Sequence, residues 1–70
     1  MDIPAKDIEV NEFFAVQGAY KNVYVMRIPP TLTKHGTCQN INTDKLHEIK
    51  GHVFVRLIRP DEYYKKVFVV

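Results

Sequence analysis

Apolar residues in this chain come in short alternating runs broken by turn-forming residues, and no stretch of about eleven residues repeats them at the helical spacing. Val53, Val55 and Leu57 alternate with Phe54, Arg56 and Ile58, and Val23 and Val25 alternate with Tyr24, Met26 and Ile28. Such a period of two fits strands and excludes an amphipathic helix. The runs predict strands over 13–17, 22–28, 38–42, 46–49, 53–59 and 63–70. Gly18-Ala19, Pro29-Pro30, Thr43-Asp44-Lys45, Gly51 and Pro60-Asp61-Glu62 punctuate them. Asp7 to Glu12 reads as a tight lead-in, with Asn11 suited to a left-handed conformation. Residues 29–37 form the longest loop, and a single helical turn is expected near Asp61 to Tyr64.

Length then selects among all-β folds. Seventy residues are too few for an immunoglobulin-sized sandwich, whereas a small bent barrel can hide its strand edges. The expected architecture is one domain, 1–70, all-β: a small SH3-like or related barrel of five or six short strands with at most one helical turn. A core of this size supplies only about 3–5 kcal/mol, so a bound partner or self-association would add needed burial. The run Val67-Phe68-Val69-Val70 is apolar on both faces and points to a homo-oligomer.

Composition narrows the function classes. One cysteine, Cys38, excludes an internal disulfide framework and fits a reducing compartment. The first ten residues carry acids and no apolar signal core, and no run of about 18 apolar residues spans a membrane. A cytoplasmic protein is expected. The charge is uneven. Residues 1–20 carry Asp2, Asp7, Glu9 and Glu12 against Lys6, a net of −3, while the whole chain is +2. That total is small for a protein that coats a nucleic acid through six or more phosphate contacts, though a basic patch on the C-terminal half keeps nucleic-acid binding open.

Two segments resemble a known group. Lys6-Asp7-Ile8-Glu9-Val10-Asn11-Glu12-Phe13-Phe14 resembles the opening of small phage-encoded SH3-like β-barrel accessory proteins, roughly Asp-Leu-x-x-Gly-x-x-Phe. Asn40-Ile41-Asn42-Thr43-Asp44-Lys45-Leu46 resembles their hairpin, roughly Asn-Leu-x-Thr-Gly-Lys-Leu. Asn11 and Asp44 stand where those patterns have glycine, and both residue types enter the left-handed region. The match covers about a quarter of the chain and carries over no functional residue. It implies a viral accessory role: binding and blocking host machinery, or sequestering a nucleotide signal.

Ordinary structural roles compete for the residues that could carry chemistry. His35, Cys38, His47 and His52 are spaced too loosely for a zinc site, so no metal and no cofactor is expected. Cys38 beside His35 or His47 lacks the oxyanion donors that a nucleophilic dyad needs. Asp61 and Glu62 are adjacent at a turn, where extended geometry would point them apart, which does not suit acid–base work. Gly18, Gly36 and Gly51 form no phosphate loop.

The basic and aromatic residues remain. Arg27, Arg56, Arg59 and Lys65, with Tyr20, Tyr24, Tyr63 and Tyr64, are the candidate binding residues, since arginine forks an anion and tyrosine offers a flat face. Barrel packing would account for the same tyrosines, and Lys65-Lys66 also suits edge protection. The reading is a non-enzymatic binding protein that blocks or sequesters a host protein, through an exposed strand edge or the loop from Pro29 to Thr37. An anionic nucleotide ligand and a nucleic acid are the alternatives.

Overall fold

The computed structural model describes residues 2–59. Expectations placed on Pro60-Asp61-Glu62, Tyr63, Tyr64, Lys65, Lys66 and Val67 to Val70 lie outside the described residues. Six antiparallel strands make one sheet: β1 (Asp2–Pro4), β2 (Phe13–Val16), β3 (Ala19–Ile28), β4 (Gly36–Asn40), β5 (Leu46–Ile49) and β6 (Phe54–Ile58). Their order is β1-β6-β2-β3-β4-β5. A 3-10 turn, Ala5–Asp7, is the other regular element among the described residues. The described residues are all-β, as expected; their 3-10 turn falls at Ala5–Asp7, where the sequence pattern predicts none.

The sheet is rolled. Ile49 on β5 and Val55 on β6, beside β1, share one buried cluster with Ala5, Ile8, Phe14, Met26 and Cys38. Strands at opposite ends of the order can meet in one core only if the sheet curls. The Ala5 N–H reaches the Val53 carbonyl (2.8 Å) and the Lys6 N–H reaches that of Gly51 (3.1 Å), which ties the β1 end to the turn after β5. The outer face has a smaller cluster of Ala15, Val23 and Ile58, with Phe13, Tyr20 and Ile41 against it. Alternation sorts the residues as the sequence implies: Phe14 pairs with Tyr24, and Phe13 with Val25.

Local chemistry sets the corners. Gln17-Gly18 makes the β2–β3 turn, with Gly18 at φ 86. The second strand therefore resumes at Ala19 rather than at Asn22. A register shift between Phe14 and Val16 absorbs the extra residues, which sequence periodicity does not reveal. At the other end of β2, the Asn11 N–H donates to the Met26 carbonyl (2.8 Å) and the Met26 N–H to that of Glu12 (2.9 Å). Two residues thus oppose one in a bulge whose left-handed position, usually glycine, is Asn11 at φ 69. The β4–β5 turn is wider than the three residues expected. Buried Asn40 organises it by accepting the Asn42 N–H at 2.8 Å and the Thr43 N–H at 3.2 Å. Asp44 then takes φ 62 to re-enter the ladder.

Candidate functional site

The strand order puts β5 at one end of the sheet, with β4 its strand neighbour among the described residues. The Asn40 N–H bonds the Lys45 carbonyl at 2.9 Å, and Gln39↔Leu46, Cys38↔His47, Thr37↔Glu48 and Gly36↔Ile49 face each other. Bonded and non-bonded pairs alternate in an antiparallel ladder. The N–H and C=O groups of Leu46 and Glu48 therefore aim away from β4.

Two features flank that edge. On the inner side is a pocket of about 300 Å³ walled by Val16, Tyr24, Cys38, His47, Ile49 and Val53, with Glu48 and Lys50 at it. Tyr24 is fixed there by stacking on Phe14 (5.8 Å between centroids) and by the His47 ring edge at 5.5 Å. At one end stands the loop that links β3 to β4. Gly51 lies so close to the Thr31 carbonyl that a Cβ would sit 2.5 Å from it, and His35 Nδ1 is 3.2 Å from Glu48 Oε2. Leu32 (79% exposed) and Leu46 (65% exposed) present apolar surface beside this edge.

The candidate arginines and tyrosines disperse. Tyr24 belongs to the inner pocket. Arg56 lies on the outer face, 4.1 Å over the Tyr20 ring, with its Nε 3.6 Å from Asp2 Oδ1. The Tyr20 hydroxyl donates to Asp2 Oδ2 at 2.7 Å. That hydrogen bond foremost, then burial and the Asp2 charge, holds the phenol above its ordinary value of 10.0. Tyr20, Arg56 and Asp2 thus pin β1 to the roll. Arg59 borders a separate recess of about 190 Å³ with Asn11, Glu12, Phe13, Leu57 and Ile58. Arg27 lines another outer pocket together with Asn11 and Gln39, neither of which the sequence marked as a binding residue.

Among the described residues no three histidine, cysteine or acidic side chains gather as a metal site, and no helix is long and apolar enough to cross a membrane. Cys38 faces His47 across the β4–β5 ladder but is buried, and burial pushes its thiol above the ordinary 9.0. An activated nucleophile is shifted the other way. Its contribution to stability is therefore full below the unfolded value and is lost as pH rises through the raised folded one. Iodoacetamide at about pH 8 should label native Cys38 more than about tenfold slower than Cys38 in urea, since both thiolate fraction and access fall on folding. Equal rates, read by mass spectrometry, would mean an accessible thiol.

Comparison with protein-family models, with curated proteins and with solved structures returns no match.

Proposed function

We propose that the chain is a non-enzymatic binding module that takes an extended segment of another protein along β5. The observation that carries this reading is the outward-facing backbone of Leu46 and Glu48 next to a ready pocket. Strand addition draws affinity from main-chain hydrogen bonds and specificity from pockets that receive alternate side chains. An added strand places one side chain over the wall formed by Val16, Tyr24, Cys38 and Val53. Leu32 and Leu46 supply apolar contact at its flanks.

Charge defines the partner segment. Lys45, His47 and Lys50 lie on or next to β5 in sequence, against Asp44 and Glu48; Lys34, His35 and His52 share a pocket with Lys50 at the β3–β4 loop, and Glu48 is engaged by His35. An acidic segment with one apolar residue at the pocket is complementary. A host factor blocked in this way matches the phage-accessory resemblance of the turns at Asn11 and Asp44.

Selection of extended peptides from a displayed random library tests the reading. The enriched peptides should be acidic, and in the labelled protein they should shift the amides of residues 46–49 and of Val16 and Val53. Leu46→Pro removes one outward donor, and proline is tolerated at a sheet edge. It should abolish capture while the melting temperature stays close to the parent's. Peptides that shift other surfaces, or a β5 edge occupied by a second copy of the chain at micromolar concentration, would overturn the proposal.

A further inference from the structure

The outer face holds a second site, independent of the β5 reading. A pocket of about 400 Å³ is lined by Asn11, Phe13, Val25, Arg27, Gln39, Ile41 and Asp44. Its polar rim is assembled by one network. Arg27 Nε and Nη2 donate to Gln39 Oε1 at 3.1 and 3.0 Å, and Nη1 donates to Asn11 Oδ1 at 3.2 Å. Gln39 Nε2 donates to the Asp44 carbonyl at 3.1 Å. The guanidinium is thus held in place by two neutral amides. With five N–H donors on the group and three spent here, two remain for a ligand.

Among the described residues no carboxylate lies within ion-pair distance of Arg27, and no cation lies within that distance of Asp44. Among the described residues, Asn11 and Asp44 are also the two non-glycine residues at positive φ. Glycine would hold either backbone conformation at less cost. Asparagine at the first adds the amide that fixes Arg27, and aspartate at the second adds the opposite charge. Phe13, Val25 and Ile41 provide the apolar part of the lining.

We propose that this pocket binds a small zwitterion of the α-amino-acid class, with its carboxylate on Arg27, its ammonium on Asp44 and an apolar side chain over Val25 and Ile41. A dianionic phosphate ester fits less well, because it meets a single guanidinium and is repelled by Asp44.

The test is a shift titration of the whole labelled chain with L-leucine, alongside leucinamide, N-acetyl-leucine and adenosine monophosphate. Leucine should saturate shifts at residues 11, 25, 27, 39, 41 and 44. Loss of either ligand charge should weaken binding about tenfold or more, the scale of one charged hydrogen bond. Arg27→Gln and Asp44→Asn should do the same with melting temperatures near the parent's, and asparagine keeps the left-handed backbone available. The ligand comparison stands even if a variant fails to fold. No saturation by leucine, equal binding of N-acetyl-leucine, or tighter binding of adenosine monophosphate would each overturn the assignment.

Discussion

Phe14→Ala is expected to leave the chain unfolded at room temperature. Phe14 is fully buried, stacks on Tyr24 and pairs across the ladders with both Tyr24 and Leu57. It therefore joins β2, β3 and β6 at the centre of the roll. Truncating a buried phenylalanine costs about 3–5 kcal/mol, and a core of this size supplies about 3–5 kcal/mol in total. The two quantities are of one size, so the variant should lose amide dispersion and show no cooperative urea transition. Phe14→Leu keeps most of the volume and should stay folded at a cost below about 1.5 kcal/mol. A dispersed spectrum and near-parental transition for Phe14→Ala would mean that the buried cluster is not what holds the strands together.

Gly36→Ala ranks second. A Cβ at Gly36 would overlap the Ile28 carbonyl oxygen and lie 2.5 Å from Pro30 N and 2.6 Å from Pro30 Cδ. These are main-chain and ring atoms, so no flexible side chain can swing aside. Relief must come from moving the start of the β3–β4 loop, and overpacking of this kind costs about 1–3 kcal/mol. Because that loop leans on Gly51 beside β5, the same variant should also weaken peptide capture at β5. The checks are a urea midpoint shift and amide shifts across residues 29–35 and 51. An unchanged midpoint would show that the loop has slack at Gly36.

The strands with clear alternation were legible in the sequence because alternation is a local signal. β5 falls on the expected residues 46–49, and β6 lies inside the expected 53–59. β1 was not foreseen. Three residues that include Pro4 carry no period, and they become a strand only through pairing with β6 far along the chain. The early start of β3 was hidden because Tyr20, Lys21 and Asn22 do not alternate in polarity. The candidate sites were legible only in part. Arg27 was a candidate because arginine can fork an anion, but Gln39 becomes its neighbour through the β3–β4 register and Asn11 through the bulge. The useful signal was the presence of Asn11 and Asp44 where a glycine would be easier. The edge status of β5 depends on strand order, a global property that no short window encodes.

The pairing of β1 with β6 also constrains how the chain matures. During synthesis the meander from β2 to β5 can assemble from neighbouring hairpins, but Asp2–Pro4 has no strand to join until Phe54–Ile58 has been made. Among the described strands wrapping is thus the last event, and its distant contacts place folding in the slow class, on the order of milliseconds to seconds. Until the ends meet, the nascent ribbon bares Phe14 and Met26 to the cell, so chaperone demand should peak just before the last described strand emerges from the ribosome.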